Sequence, residues 1–210
     1  MSNIYDRGVV ILDFGSQYTQ LIARRVRELN VYSFILPPET NIDKILSLNP
    51  GALILSGGPS SIYDQNAPDF DQKILDIDLP TLGICYGFQY ISKEFEGVIE
   101  KSNQREYGKT IIKTSKSDLF KNTNIEQQVW MSHGDTIFQI PAQYEILAKT
   151  EDISVAAYGS VAGSLDYPVF AVQFHPEVTH SLEGPKMLSN FILGVCGCSG
   201  TWTPESYIED

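Results

Sequence analysis

Cysteine and basic residues are scarce in this 210-residue chain, and long apolar runs are absent. Its three cysteines, Cys85, Cys196 and Cys198, cannot form a disulfide framework. The chain has 15 Lys and Arg against 26 Asp and Glu, and the resulting net charge of −11 argues against nucleic acid and anionic membranes as partners. No stretch approaches the roughly 18 consecutive apolar residues that cross a bilayer, and the N-terminal apolar run is too short for a signal peptide. We therefore expect a cytoplasmic protein with reduced thiols.

The first half of the sequence alternates short apolar runs with helical patterns. With 42% apolar residues, including 11 Tyr and 10 Phe, the chain can bury the core of a globular domain. The apolar runs predict buried strands at residues 9–12, 31–36, 52–55 and 81–84, and the stretches between them predict helices near residues 21–29, 43–48 and 70–76. This alternation implies a parallel sheet with helices on both faces.

After about residue 97 the pattern changes to shorter strands separated by turns. These strands are predicted at residues 109–114, 128–132, 145–150, 154–158 and 169–174, before a last helix near 182–193. The predicted fold is α/β: a flavodoxin-like, open, mixed and mainly parallel sheet with helices on both faces and a small antiparallel annex. We expect the domain to span residues 1–195.

Cys85 lies in a Gly83-Ile84-Cys85-Tyr86-Gly87 segment, between an apolar strand and a predicted helix at residues 88–95. This is the pattern of a nucleophile elbow with cysteine in place of serine, because the glycines permit the close backbone approach of a tight strand-to-helix turn. Unpaired N–H groups at the helix N-terminus favour a thiolate. We therefore predict a nucleophile, the alternative being a small buried apolar residue.

A second strand end carries a histidine and a carboxylate, in Phe174-His175-Pro176-Glu177. Residues two apart in an extended segment point to the same side, so His175 and Glu177 can address one site. A thiolate nucleophile needs a histidine to transfer protons, and the histidine needs a carboxylate to orient it. The two strand ends together predict a catalytic triad.

The two other histidines, His133 and His180, are weaker candidates. His180 has no supporting context. His133 lies in Ser132-His133-Gly134-Asp135, at a predicted strand-to-loop transition, and is a candidate base, substrate contact or structural residue. A metal site is not indicated, because Cys196 and Cys198 are one residue apart with no second pair of ligands.

A third strand is followed by the loop Ser56-Gly57-Gly58-Pro59-Ser60-Ser61. Its glycines can present backbone N–H groups to an anion. The loop lacks the Gly-Lys-Ser/Thr of a Walker loop and the aspartate of a nucleotide-pyrophosphatase loop. Beside a nucleophilic cysteine, an oxyanion-binding role is the favoured interpretation, and a plain turn is the alternative.

Together these motifs resemble the class I, or triad-type, glutamine amidotransferases. The resemblance is carried by Ser-Gly-Gly-Pro at 56–59, Gly-Ile-Cys-Tyr-Gly-x-Gln at 83–89 and His-Pro-Glu at 175–177. Within the family, the segments at 12–25, 104–108 and 131–135 are similar to those of the GMP synthase group. The resemblance covers about residues 8–195.

The resemblance implies a glutaminase in which Cys85 attacks the side-chain amide of glutamine and His175, oriented by Glu177, transfers protons. Backbone N–H groups of Gly58 and Tyr86 would hold the oxyanion. The implied glutamine-binding residues are Gly57, Gln89, Ser132, His133 and Asp135, with Asp135 as the partner of the α-ammonium group.

The tail at residues 196–210 resembles a linker that leads, in two-domain GMP synthases, into an ATP-pyrophosphatase domain. The resemblance implies that the ammonia converts xanthosine monophosphate (XMP) to GMP on that partner domain or on a separate partner chain. ATP and Mg²⁺ are expected on the partner, and no cofactor or metal is expected in this chain. A homodimer of the complete enzyme is one arrangement left open.

Three other interpretations remain at the level of the residues. The first is the glutaminase of another amidotransferase, which the stretch Gly15-Ser16-Gln17-Tyr18 disfavours. The second is a stand-alone cysteine hydrolase, either a peptidase or a γ-glutamyl hydrolase. The third is an inactive flavodoxin-like interaction module, which the intact set of Cys85, His175 and Glu177 disfavours.

Overall fold

The computed structural model describes residues 7–59, 61–64, 67–68 and 72–204, and places the strands of this part of the chain in one sheet. In chain order the strands are β1 (Val9–Leu12), β2 (Ser33–Leu36), β3 (Ala52–Leu55), β4 (Thr81–Ile84), β5 (Val98–Thr114), β6 (Glu126–Gln139), β7 (Tyr144–Lys149), β8 (Ala157–Ser160) and β9 (Val169–Val172). The helices are α1 (Thr19–Glu28), α2 (Ile42–Ser47), α3 (Tyr86–Glu94) and α4 (Gly184–Ser189), with a 3₁₀ helix at Gln72–Asp76 and a π-helical continuation of α4 at Asn190–Val195. Within the described residues, none of these helices combines the length and apolar character needed to cross a membrane.

The parallel half of the sheet has the strand order β2-β1-β3-β4-β9. Every residue of β1, β3, β4 and β9 is buried, as expected for strands that are covered on both faces. This order is that of the flavodoxin-like folds, in which ligands bind beyond the carboxyl ends of the strands. The predicted fold class is confirmed.

Alternate residues of the parallel strands pack into two separate apolar clusters. On one face, Val9 and Ile11 share a cluster with residues of α1 and α4. On the other face, Val10 and Leu12 share a cluster with residues of α2, the 3₁₀ helix and α3. The prediction of helices on both faces is confirmed, and the double burial explains why β1 contains no polar residue.

The predicted antiparallel annex is present, and it continues the same sheet beyond β9 in the order β8-β7-β5-β6. Its connection is narrow, since β5 and β7 pair only through Lys113 with Lys149 and Thr114 with Ala148. β8 begins later than predicted. The described part of the helix predicted at residues 70–76 is a 3₁₀ helix, and residues 69–71 lie outside the described part of the chain.

β5 and β6 extend well beyond the predicted segments and pair with each other as a long antiparallel ladder. His133 therefore lies inside β6, and the prediction of a strand-to-loop transition there is wrong. Gly134 and Asp135 are common turn residues. They lie within β6 because β5 pairs on both sides of Gly134, with Glu106 opposite His133 and Lys101 opposite Asp135, and the register is irregular between these two pairs.

The described part of the C-terminal tail packs against the domain. Cys196 and Cys198 are buried, and Arg7 Nη2 donates a hydrogen bond of 2.9 Å to the backbone oxygen of Cys196. The Trp202 ring stands edge-on to the Tyr32 ring, with the centroids 5.5 Å apart. The domain boundary at residue 195 and the linker that follows it stay predictions, and residues 205–210 lie outside the described part.

Candidate active site

A cavity of about 670 Å³ opens where the carboxyl ends of the parallel strands meet β6. Cavities of this size accommodate small molecules. Most of the predicted site residues line it, namely Gly58, Cys85, Tyr86, Gln89, Ser132, His133, Asp135 and His175. The other two, Gly57 and Glu177, each lie directly against His175. The structure thus brings all of the predicted site residues together, while their chemical roles stay predictions.

Cys85 occupies a strained position between β4 and α3. Its φ of 52° and ψ of −95° are unusual for a residue with a side chain and cost about 1–3 kcal/mol. The backbone N–H of Cys85 donates to the oxygen of Val172, 2.9 Å away, which fixes the turn to β9. A Cβ atom on Gly83 would lie 2.7 Å from the carbonyl carbon of Gly87, and one on Gly87 would lie 2.5 Å from the oxygen of Leu55. Only glycine fits at these two positions.

His175 and Glu177 form a buried pair next to the nucleophile. The distance between His175 Nδ1 and Glu177 Oε1 is 2.7 Å, and their side chains are 5% and 0% exposed. The Tyr18 ring packs edge-on against the imidazole, with ring centroids 5.0 Å apart. Arg25 Nε donates to the backbone oxygen of Glu177 at 3.1 Å, so helix α1 anchors the main chain of Glu177.

The surroundings of His175 favour its protonated form. Burial opposes the charge, but it is outweighed by the Glu177 carboxylate and by the hydrogen bond to Cys85. The pKa of His175 is therefore raised well above its ordinary value of 6.5. A protonated imidazole in this position can give a proton to a leaving group.

Replacing Glu177 by glutamine is expected to lower the pKa of His175, because the neutral amide no longer stabilises the imidazolium. A raised folded-state pKa contributes stability that is complete below about pH 6.5 and is lost as the pH rises through the folded-state value. The difference in unfolding free energy between the wild type and Glu177→Gln should therefore shrink with rising pH. Histidine NMR titration and urea unfolding measure both effects.

Glu126→Gln is the control for this titration, since Glu126 Oε1 lies 3.7 Å from Lys113 Nζ in an exposed pair outside the cavity. It should leave the titration of His175 unchanged. An unaltered His175 titration in Glu177→Gln would contradict the role of the carboxylate.

The loop after β3 approaches the nucleophile through its backbone. A Cβ atom on Gly57 would lie 3.1 Å from His175 Cε1 and 3.6 Å from Cys85 Cβ. A Cβ atom on Gly58 would lie 3.2 Å from the Tyr86 ring. The loop is anchored by Ser56, whose Oγ accepts a hydrogen bond from the backbone N–H of Phe14 at 3.0 Å. The loop backbone thus lies close to Cys85 and His175, and the oxyanion-binding interpretation stays a prediction.

The lining of the cavity also contains the other polar residues predicted to bind substrate. Gln89 Nε2 donates to the backbone oxygen of Asp135 at 3.4 Å. The Asp135 carboxylate is nearly buried and accepts a 2.6 Å hydrogen bond from Ser61 Oγ. His133 Nδ1 lies 2.9 Å from the oxygen of Asp135, and Cys85 Sγ lies 3.6 Å from the oxygen of Ser132. Ser132 therefore faces the nucleophile with its main chain.

Sequence reasoning did not identify Gln173, Ser61 or the turn containing Ser16 and Tyr18 as parts of the site. Gln173 Nε2 lies 3.7 Å from Cys85 Sγ, and the other three line the cavity. Gln173 directly follows β9, and Ser16 and Tyr18 follow β1, so the strand-end rule could have found them. Ser61 lies further along its loop, where no sequence signal marks its contact with Asp135.

The other two cysteines differ from Cys85 in their surroundings. Burial raises the pKa of both thiols, for Cys196 with a further contribution from Cys198 and against the opposing effect of Arg7. Neither lines the cavity. Among the described residues, no group of three His, Cys, Asp or Glu side chains is arranged to hold a metal ion. Cys85 is thus the cysteine placed for chemistry.

Comparison with known proteins places most of the chain in one family. Residues 10–195 match the family described as glutamine amidotransferase class-I. The chain is 50% identical over 205 residues to the GMP synthase (glutamine-hydrolyzing) of Cytophaga hutchinsonii, and 46% identical over 202 residues to that of Bacillus cereus strain AH820. Both alignments cover 96% of this chain, which spans only 39% of the length of these curated relatives.

Solved structures of similar proteins share the fold of this chain. A Thermoplasma acidophilum protein, solved under the description of a GMP synthase subunit, superposes with a TM-score of 0.79 at 30% sequence identity, over 96% of both chains. A glutamine amidotransferase from Thermotoga maritima superposes with a TM-score of 0.64 at 18% identity, over 93% of this chain and 96% of its own. The second likeness is one of fold alone.

Proposed function

The chain belongs to the class I glutamine amidotransferase family, and on this basis we propose that it hydrolyses glutamine to glutamate and ammonia for the amination of XMP to GMP. One observation carries the proposal. Cys85 lies on a strained turn at the start of α3 and lines the cavity together with His175, which is hydrogen-bonded to Glu177 behind it. These are the residue types that a thiolate mechanism uses as nucleophile, proton carrier and orienting carboxylate, which supports the proposal.

The proposed reaction begins when Cys85 Sγ attacks the side-chain amide carbon of glutamine. The negative charge that develops on the amide oxygen is held by backbone N–H groups of Gly58 and Tyr86, each contributing about 3 kcal/mol. His175 gives its proton to the departing nitrogen, so the C–N bond breaks and ammonia leaves a γ-glutamyl thioester. His175 then removes a proton from water, which attacks the thioester and releases glutamate and the Cys85 thiolate.

The proposed substrate position follows from the polar groups along the cavity. The amide of glutamine lies at Cys85, and its α-ammonium group pairs with the nearly buried carboxylate of Asp135. Gln89, Ser132, His133 and Gly57 complete the contacts. In the free chain Gln89 donates to Asp135, and Ser61 occupies one oxygen of the Asp135 carboxylate. Glutamine therefore has to displace hydrogen bonds that the site makes with itself.

The proposed acceptor of ammonia lies outside this chain. Ammonia released into water at neutral pH becomes ammonium, which has no lone pair for attack, so it must reach the acceptor before it escapes. The relatives at 46–50% identity are GMP synthases of which this chain spans 39%. The proposed partner is an ATP-pyrophosphatase, either a domain or a subunit, with ATP and Mg²⁺ bound there and no cofactor bound here. Soluble substrates of this kind support a cytoplasmic location.

Reconstitution with that partner tests the function. Glutamate release is measured for this chain alone, and then with the ATP-pyrophosphatase partner, XMP, ATP and Mg²⁺. We expect low activity in the isolated chain, because the residues that bind glutamine hydrogen-bond one another. Binding of the partner should raise it by about tenfold or more.

Each outcome separates two interpretations. Absence of glutaminase activity in both mixtures would contradict glutamine hydrolysis, and full activity without the partner would contradict the coupling. Hydrolysis of peptides independent of glutamine would favour a stand-alone cysteine hydrolase.

A further inference from the structure

Gln173 is a buried glutamine whose side-chain amide lies between the nucleophile and the glutamine-binding end of the cavity. It is 1% exposed, and it directly follows β9. Its Nε2 lies 3.7 Å from Cys85 Sγ, and its Oε1 accepts a 3.1 Å hydrogen bond from Gln89 Nε2. Burying an amide is costly unless both of its ends are hydrogen-bonded, and here Cys85 and Gln89 are the partners.

The orientation of the Gln173 amide follows from its neighbours. The backbone oxygen of Asp135 can only accept, so the Gln89 atom that faces it must be the nitrogen. The same nitrogen faces Gln173, which must therefore present its oxygen to Gln89. The nitrogen of Gln173 is left to face the sulfur, so Gln173 donates an N–H group to Cys85.

We propose that Gln173 is a positioning residue for Cys85, which holds Sγ as a thiolate aimed at the substrate while its amide oxygen keeps Gln89 in place. The proposal rests on the function proposed above, and it explains why a neutral amide is buried against the nucleophile. A hydrogen bond donated to the charged form of a group favours that form. Gln173 and His175 are two residues apart, so one segment supplies both an amide donor and an imidazolium to the same sulfur.

Other ionisable groups near Cys85 must be considered in any pH-dependent test. His175 and Glu177 lie on the segment after β9, and the lining of the cavity also contains Asp64, His133, Asp135 and three tyrosines. All of these are unchanged when Gln173 alone is replaced. A comparison of variants at position 173 therefore isolates the amide.

The test is the rate of Cys85 alkylation by iodoacetamide between about pH 5.5 and 10, followed by mass spectrometry of the peptide that contains Cys85. Gln173→Met keeps the length of the side chain and removes the N–H donor. Alkylation at about pH 6.5 should become about tenfold slower, because less of the sulfur is ionised. At high pH the rates should converge, since the thiolate is then formed without help.

Two further variants sharpen this test. Gln173→Glu places a carboxylate beside the sulfur and should move the alkylation profile further towards high pH. Gln127→Met is the matched control, because Gln127 is equally a buried glutamine but bonds to Thr123 and Asn124 outside the cavity. It should leave the profile unchanged.

An unshifted profile in Gln173→Met would overturn the proposal whatever the result for Gln173→Glu, whose added charge shifts the profile by itself. Faster alkylation at every pH would do so as well, because it would indicate a loosened structure and a purely packing role. If Gln173→Met does not fold by circular dichroism, Gln173→Leu, which also lacks the N–H donor, takes its place. Alkylation by iodoacetamide does not depend on glutamine hydrolysis. If the chain has no glutaminase activity but the profile of Gln173→Met is shifted, the proposed function fails and the inference about Gln173 stands.

Discussion

Replacing Cys85 by alanine is expected to abolish glutamine hydrolysis, with kcat falling by about 10⁴-fold or more. Without the sulfur no thioester forms, and the chain offers no other nucleophile in the place of Cys85. Synthesis by the complete enzyme from added ammonia should survive, because the acceptor site lies outside this chain. Glutamate release and ammonia-dependent GMP formation, measured on the same preparation, separate the two activities.

Cys198→Ala is the control for the loss of a thiol, because Cys198 is buried beside Arg7 and outside the cavity. It should retain glutaminase activity. A glutamine-derived electrophile should label Cys85 in the wild type and leave the other two cysteines unmodified. Glutaminase activity retained in Cys85→Ala would refute the thioester mechanism.

Replacing Gly184 by alanine is expected to reduce kcat/KM for glutamine by about 100-fold, the typical effect of a displacement of about 1 Å in a catalytic group. Gly184 begins α4, and a Cβ atom there would collide with the backbone carbonyl of Pro176. Pro176 lies between His175 and Glu177, so relief of the collision must move the pair. Overpacking of this kind should also destabilise the fold by about 1–3 kcal/mol, measurable by urea unfolding.

Gly194→Ala is the matched control for this substitution. Gly194 lies in the same helical segment, and a Cβ atom there would have no heavy atom within 4 Å. It should leave kcat/KM unchanged and stabilise the protein by up to about 1 kcal/mol, as alanine does in helices. Equal effects of the two substitutions on kcat/KM would show that α4 does not support the triad.

The parallel half of the fold was predictable from the sequence because its signals are local. In β1, β3 and β4 the predicted run coincides with the strand, since strands covered on both faces consist mainly of apolar residues. The placement of Cys85 after β4 and of His175 after β9 then followed from the rule that ligands bind at the carboxyl ends of parallel strands.

The antiparallel half was harder to predict because its strands depend on partners distant in the sequence. Gly134 and Asp135 favour turns locally, and β6 continues through them because β5 pairs with the residues on either side of Gly134. The contact between Ser61 and Asp135 joins two residues 74 positions apart, through a hydroxyl that resembles any other in a polar loop. No local pattern encodes such a contact.

The sequence by itself determined which residues are predicted as nucleophile, proton carrier and carboxylate, because glycine spacing and strand ends are properties of short segments. Tertiary structure alone decided how these groups are supported: the amide of Gln173 at the sulfur, Arg25 behind Glu177 and the backbone of Pro176 against Gly184. Each of these contacts joins separate elements whose approach depends on the packing of the whole sheet. The low cysteine content therefore pointed to Cys85, and the surroundings that prepare it for reaction arose only on folding.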